Sequence, residues 1–571
     1  MSLPAAAPLA SGPLSAPWQA TPAAPSGTVR AEEAASWPGV WLAEIAVPAT
    51  AGAPVPPPLG MPGALPLAAP TWPTADPDAQ MPEVRVSDRG WIGEPDDPDA
   101  PHRAYPARLA EPPALELALP VYPDQARRAL LAAGELLLLN GDGALDMLAG
   151  DWRLAGQRVR ILRGPHRRPR HARMAEFGAV ALLRSASGAV QGGDGLLRLP
   201  LRGAETDLAV PACEVYGGTG GEDGHADLAG QPKPRLYGIR RNIEPVLEDP
   251  ARLIYRYHHG GPAAGVLAAR DRGGAIAHAG DVPSYADLRA ASPSPGTFIT
   301  CHAAGCLRLG SVPSLLTIDA RGDATPALGG YAGSPPDIAA RLVQTAGGLG
   351  VERLGDFSWL GAEAGLWLRD AITVAEAMDR LAASVAGWWG TDAFGVVWGG
   401  MLRLPETAGP SLVIEPWMLA RAPEEVAHGR PPWWRARVAY RPNGRVQVAE
   451  DLAGAVSAAD RDVWGRPHLI ATAADTELQA RFLHAEDPPP VESLFDAASG
   501  AELLAAHLLA LFGRPRRAFL ATLAAWDPVA AVPGAVALLR WEDDAMLRAG
   551  MPLLVTAASL RGDRLELTLW G

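Results

Sequence analysis

Proline and glycine break this chain so often that short strands and turns are favoured over long helices. There are 57 prolines and 62 glycines in 571 residues; each proline removes a backbone donor, and each glycine loosens the backbone. The length exceeds what one hydrophobic core can serve. At about 100–200 residues per domain it predicts roughly three to five domains. The expected fold class is mainly β with α+β inserts, built as several small β-barrel or sandwich domains.

Charge and cysteine content narrow the function classes. A formal net charge of −13 argues against a grip on duplex DNA, which needs clustered Lys and Arg to neutralise phosphates. Cys213, Cys301 and Cys306 are the only cysteines and make no disulfide framework. No apolar run approaches the roughly 18–20 residues of a membrane span. No charged side chain precedes Arg30, so no secretory signal is expected, and the chain should be made in the cytoplasm and stay soluble.

Residues 1–35 are rich in Ala, Pro and Ser. They read as a disordered tail, unable to bury enough apolar surface to order itself, or as an arm that orders against a neighbouring subunit with Trp18 as anchor. A β-rich segment is expected over residues 36–235. Trp37–Val47 is its first strand, and Pro48–Pro73 is a Pro-rich linker. Val84 and Val86 alternate, Asp96–Pro101 is an acidic loop, and Leu115, Leu117 and Leu119 line one strand face. Glu135–Leu139 is a strand that Asn140-Gly-Asp-Gly143 closes as a hairpin turn. Val159, Ile161 and Leu183 continue the meander, and Leu196–Leu201 and Leu208–Cys213 end it.

A second β-rich segment is expected over 236–330. Tyr237–Ile243 alternates like a strand, and Leu253, Tyr255 and Tyr257 share one face of another. Phe298–Thr300 is a third strand, and Ser284 is placed to cap a helix near Tyr285–Ala291. Residues 331–410 read as a small α+β insert, with helices Pro335–Thr345 and Val374–Val385 and a hairpin from Trp388 to Trp398 around Asp392–Gly395. The last segment, 411–571, reads as a β-barrel with one helix. Trp433–Tyr440 turns at Arg441-Pro-Asn-Gly444 and returns over Arg445–Val448. Ala498–Phe512 is a helix striped by Leu504, His507, Leu508 and Leu511. Strands follow at Arg517–Leu523, Ala535–Trp541, Leu553–Leu560 and Arg564–Trp570.

Several constellations invite a chemical reading. Asn140, Asp142 and Asp146 fall short of a calcium loop, since an EF-hand carries more ligands and a Glu at its twelfth position, where Asp151 stands. Cys301-His-Ala-Ala-Gly-Cys306 gathers two thiols and an imidazole, but structural zinc needs four ligands and an iron–sulfur cluster four thiolates. Cys213, His258-His259 and His278 do not supply a second cluster by spacing. Arg163–Arg173 is the one strongly basic stretch. Pro165 and Pro169 make it a loop that faces an acidic neighbour or touches nucleic acid, without the interleaved aromatics of a stacking site. Gly217–Gly224 lacks the Lys-Ser/Thr of a phosphate loop. His507 reads as a core-edge residue. No catalytic, cofactor or metal residue is assigned, and the chain is expected not to be an enzyme.

Three stretches carry a family resemblance. Tyr237-Gly-Ile-Arg-Arg-Asn-Ile-Glu-Pro-Val-Leu-Glu-Asp-Pro with the strand that follows to Tyr257, Gly134-Glu-Leu-Leu-Leu-Leu-Asn-Gly-Asp-Gly-Ala-Leu-Asp146, and Leu565-Glu-Leu-Thr-Leu-Trp-Gly571 together resemble the baseplate or tail-tip hub proteins of double-stranded DNA phages, prophages and gene transfer agents. Val532–Leu539 resembles the re-entry into the barrel of such proteins. The resemblance spans roughly residues 85–571. It implies a structural virion protein at the tail tip, with no cofactor. It also implies a homo-oligomeric, threefold ring whose partners are the tail tube and the tip or fibre proteins, with DNA passing transiently and no stable membrane insertion. Two other classes compete with this reading: a peptidoglycan-degrading tail enzyme, and a carbohydrate-binding receptor module drawing on the chain's 18 Trp.

Overall fold

The computed structural model describes residues 40–47, 83–164, 172–392, 394–426, 430–524, 533–562 and 564–571. The arm with Trp18, the linker at Pro48–Pro73 and the middle of the basic loop lie outside the described residues. The fold is mainly β, in several sheets, and multidomain.

Where the sequence carries a clear helical pattern, the helix forms as that pattern requires. Pro335–Thr345 is a helix with its prolines in the first turn, where a missing donor leaves no bond unmade. Ser334 and Asp337 make a reciprocal capping box at its start. Thr373 and Glu376 cap Val374–Ser384 in the same way, and Ala377, Leu381 and Val385 are all buried beneath it. Ser284 accepts from the Asp287 N–H at the start of Tyr285–Ala290. Ala498–Phe512 buries Leu504, Leu508 and Leu511, each worth about 1.5–3 kcal/mol when fully removed from water. With the helices Pro335–Thr345 and Val374–Ser384 it builds one core around Trp388, Trp389, Trp433 and Trp570.

The sheets join stretches far apart in the chain. An eight-stranded sheet runs Glu83–Ser87, Val40–Ala46, Arg158–Gly164, Gly178–Ser185, Leu196–Arg202, Glu135–Leu139, Leu109–Glu111, with Val190–Gln191 attached to Leu196–Arg202. A nine-stranded sheet holds the second segment. In it Arg235–Ile243 lies between Leu316–Asp323 and Gly365–Leu368. An eleven-stranded sheet starts at Leu354–Ser358, passes through the hairpin Trp388–Thr391/Val397–Gly400 and through Arg128–Ala133 and Leu115–Ala118, and enters the C-terminal strands at Met551–Arg561. It then curls. Leu412–Ile414 sits at one edge, and a few residues later Leu419 bridges Leu523 on the opposite side. The inner face of this curl shares one core with the eight-stranded sheet: Trp41, Ile45, Leu138 and Ile161 meet Phe519, Leu565, Leu567 and Leu569.

These sheets cross the segment boundaries expected from the sequence. Leu115–Ala118 and Arg128–Ala133 are hydrogen-bonded to the C-terminal strands and the Trp388 hairpin, not to the eight-stranded sheet. Leu208, Ala212 and Cys213 bury into the helical core, after a 3-10 turn at Ala204–Leu208.

Two expected hairpins do not form. Glu135–Leu139 pairs with Leu196–Arg202 and Leu109–Glu111, while Asn140–Gly143 leads into a 3-10 turn at Asp146–Leu148. Turn residues fix a reversal, but here the buried faces of distant strands decide the pairing. For the same reason Arg445–Val448 is not a return strand. Arg435–Tyr440 pairs instead with Leu469–Ala474 and Val491–Glu492.

Candidate functional site

The residues with most chemistry converge on Arg235–Ile243, the strand shared by several parts of the chain. Gly238 has φ +64, and a Cβ there would meet the Ala364 carbonyl oxygen at 1.9 Å. Only glycine lets the neighbouring strand approach so closely. Beyond it, Arg241 donates to both carboxylate oxygens of Asp496, at 2.9 and 2.8 Å. The backbone N–H of Asn242 donates to Asp319 at 2.9 Å, and Arg270 forks onto the same carboxylate at 3.0 and 2.9 Å. Burial pushes the Asp319 carboxyl up, but the Arg270 guanidinium and the Asn242 N–H outweigh it and hold the carboxyl below its ordinary value. Arg270 also lies 5.0 Å over the Trp464 ring. The Pro442-Asn443-Gly444 turn closes over this network. Arg241, Asp319, Asn443, Trp464 and His468 enclose a cavity of about 10 Å3, room for about one water molecule and no organic ligand.

A second polar cluster lies under the glycine-rich run. Arg256 and Glu248 are 2 % and 1 % exposed, and Arg256 forks onto the Glu248 carboxylate while donating to the Ala304 carbonyl at 2.6 Å. The Tyr216 hydroxyl donates to the same carboxylate at 3.4 Å. Burial and the Glu248 charge push the Tyr216 phenol well above its ordinary value, so it stays protonated. Asp223 folds back into the run, accepting from the Gly217 N–H and the Thr219 hydroxyl, each at 2.9 Å, and Lys233 approaches it at 3.4 Å. A carboxylate of the chain itself thus occupies the cradle in which a phosphate loop would place its ligand.

The other sequence candidates are separated. Asn140 is buried and spends its side chain on the Leu145 N–H, Asp146 and Gln191, while Asp142 pairs with Arg108 at 2.6 Å; together they make a turn. Arg173, at the described end of the basic loop, pairs with Asp96 of the acidic loop at 2.7 Å, and Arg163 lies over Trp41. The His507 ring meets the Leu402 carbonyl at 2.9 Å at the edge of the helical core. Cys301 and Cys306 are buried opposite each other in a hairpin, in a different core cluster from Cys213, which faces the Leu368 carbonyl.

One arrangement has no signal in the sequence. Parallel pairing of Gly274–Asp281 with Thr297–Cys301 brings His278 and His302 to the same Asp281 oxygen, at 3.2 and 3.1 Å, where the Thr300 hydroxyl also donates. Two imidazoles and a hydroxyl thus crowd one carboxylate oxygen. No group of three or more His, Cys, Asp or Glu among the described residues is arranged to hold a metal ion.

No protein-family model matches the chain, and no curated protein matches it. Among solved structures, the prophage MuSo2 43 kDa tail protein from Shewanella oneidensis is similar at a TM-score of 0.31 and 10% identity, over 80% of this chain and 91% of that one. The tail protein from Neisseria meningitidis MC58 is similar at a TM-score of 0.26 and 12% identity, over 47% of this chain and 76% of that one.

Proposed function

We propose that the chain is a structural virion protein, the hub of a phage tail tip or baseplate. In this reading it joins the tail tube to narrower tip components, lines the path by which DNA leaves, and assembles as a threefold ring. The observation that carries the reading is the interweaving of the sheets. Leu115–Ala118 pairs with Met551–Arg561, and Gly365–Leu368 pairs with Arg235–Ile243, so stretches distant in sequence are cross-tied by backbone hydrogen bonds. A pull on such a body loads ladders of hydrogen bonds in shear instead of opening a linker, which suits a coupling piece between rings.

The chemistry of the junctions supports the same reading. Their guanidinium and carboxylate groups are spent on one another, and a net charge of −13 suits a conduit that lets DNA slip past without gripping it. A threefold ring requires each subunit to offer two different faces, because cyclic contacts of that order are heterologous.

Electron microscopy of the purified protein, together with antibody labelling of tails, tests the proposal. Rings and label at the tip are expected. Label along the tube or on the head, or hydrolysis of purified peptidoglycan by the protein, overturns it.

A further inference from the structure

The pair Cys301 and Cys306 is placed for covalent chemistry that the proposed function does not use. Thr297–Cys301 and Cys306–Leu309 are antiparallel, with Cys301 directly opposite Cys306. Directly opposed residues have Cα atoms about 4.5–5.5 Å apart and side chains on the same face, inside the roughly 4.4–6.8 Å window that a disulfide spans. Both thiols are free and buried in one small apolar cluster with Ile254, Tyr285, Leu288 and Ile299. The third cysteine lies in a separate core and cannot compete for either.

We propose that Cys301 and Cys306 are an oxidative modification site, which a peroxide converts to a cross-strand disulfide. One sulfur, as thiolate, attacks a peroxide oxygen and breaks the O–O bond. This leaves a sulfenic acid, while the departing hydroxide takes up the proton the thiol released and becomes water. The second sulfur then displaces the sulfenic oxygen as a second water. Overall, two thiols and one hydrogen peroxide give one disulfide and two waters.

Burial disfavours the thiolate of both cysteines and screens them from bulky oxidants, so the attacking thiolate forms when the hairpin end opens to water. The turn that joins them is the point of entry for a small one. It is short and Ala303 is exposed at its tip; a backbone bond of 3.2 Å from the Gly305 N–H to the His302 carbonyl spans it, and the Ala263 and Tyr257 N–H groups tie its His302 and Gly305 carbonyls at 2.9 and 3.0 Å, bonds that part when the tip opens. Such tips open locally far more often than the sheet unfolds.

Closing the disulfide would fix a structural strap. The Ala304 carbonyl holds Arg256 at 2.6 Å, and the Gly305 carbonyl accepts from the Tyr257 N–H at 3.0 Å. Oxidation therefore locks the support of the buried Arg256–Glu248 pair. This inference does not depend on the tail-tip assignment.

Tryptic mass spectrometry on the full-length wild-type protein tests it. Trypsin places Cys301 and Cys306 together in the peptide 290–308 and Cys213 in the peptide 203–235, which serves as internal control. The protein is purified reduced, freed of reductant, treated with hydrogen peroxide, then unfolded in the presence of an alkylating agent. The 290–308 peptide is expected to be lighter by two hydrogens and unlabelled, with dithiothreitol restoring both labels, while Cys213 stays labelled. Amide hydrogen exchange in residues 302–305 should slow in the oxidised protein. Two labels on the 290–308 peptide after peroxide, a sulfinic acid on one cysteine beside a labelled partner, or a disulfide joining two chains would each overturn the proposal.

Discussion

The side-chain amide of Asn242 donates a 2.8 Å hydrogen bond to the side-chain oxygen of Asn443. Both residues sit where the chain reverses its habit. Asn242 has φ +53 within the Arg235–Ile243 strand, and Asn443 stands in the turn after Arg441, which has φ +52. Asn is among the few side chains that tolerate this region. The contact is reinforced on both sides. The Asn242 amide also donates to the Arg445 carbonyl at 2.6 Å, while the Asn443 amide donates to the carbonyls of Trp464 and Arg466 at 2.7 and 3.1 Å. Two Asn side chains thus clip the C-terminal segment onto the second sheet.

Removing one half of the clip should therefore weaken the junction and leave both sheets intact. Asn443→Ala deprives the buried Asn242 of an acceptor, and the part-buried Trp464 and exposed Arg466 carbonyls of a donor, a loss of about 1–3 kcal/mol. Asn242→Gly keeps the backbone conformation but drops the same contact. Because both changes break one interaction, a double-mutant cycle should return a coupling of at least about 0.5 kcal/mol, read by denaturant unfolding. Additive effects would show that the two residues act separately.

The buried Arg256–Glu248 pair makes a sharper prediction. Glu248→Gln leaves a guanidinium in a site only 2 % exposed without its counter-charge, and breaking such a pair costs about 3–5 kcal/mol. Replacing both residues together, Glu248→Leu with Arg256→Met, removes the stranded charge as well. The double variant should therefore be more stable than Glu248→Gln alone. Melting curves of the two proteins give the order directly, and the reverse order would mean the pair's hydrogen bonds outweigh its desolvation.

How much of this was legible in the sequence depended on range. Helix ends were, because Ser334, Thr373 and the opening prolines act within one turn; Pro335–Thr345 and Ala498–Phe512 have the bounds their patterns imply. Strand partners were not. Nothing near Leu115 indicates that it will lie opposite Leu560, since that pairing follows from which faces are buried together. The strand Gly274–Asp281 escaped notice because its Ala and Gly residues are mostly exposed on both faces and show no alternation. The His278–Asp281–His302 cluster depends on that unseen strand and so had no signal. Turn chemistry misled at Asn443, where a correct reversal was given a wrong partner.

His258 should make stability fall in acid. Its side chain is 1 % exposed, and its Nδ1 accepts from the Leu236 N–H at 3.1 Å. Burial, with Arg235, His259 and Arg256 nearby, lowers its pKa from 6.5 to about 3; Glu214 is engaged by the neighbouring His259 at 3.1 Å. Between those values the unfolded chain binds the proton and the folded chain does not. Stability is therefore fully present above about pH 6.5 and is lost as pH falls towards 3, by on the order of 5 kcal/mol at most. In His258→Asn the amide oxygen can replace the acceptor without titrating. Unfolding midpoints measured from pH 7 to pH 4 should drop less steeply for the variant, and parallel curves would remove His258 from the acid response.

The C-terminal strand carries the last prediction. Arg564–Trp570 lies inside its sheet, paired with Met551–Arg561 on one side and Ala518–Leu523 on the other. Its alternation is expressed in burial: Leu565, Leu567 and Leu569 are buried, Glu566 and Thr568 are half-buried, and Trp570 is sealed at 1 % exposure in the helical core beside Phe512. The strand thus serves two cores at once, with its leucines in the one shared with the eight-stranded sheet and its tryptophan in the other. Deleting Leu565–Gly571 strips four large side chains from these cores, each worth about 1.5–3 kcal/mol. It also leaves two strand edges unpaired, which are templates for aggregation. The sum is comparable to the whole stability of a typical domain, about 5–15 kcal/mol. The truncated protein should aggregate or become protease-sensitive around residues 518–561. A soluble, monodisperse truncation with an unchanged digestion pattern would mean that the remaining strands close over the gap, and that this strand does not join the two cores.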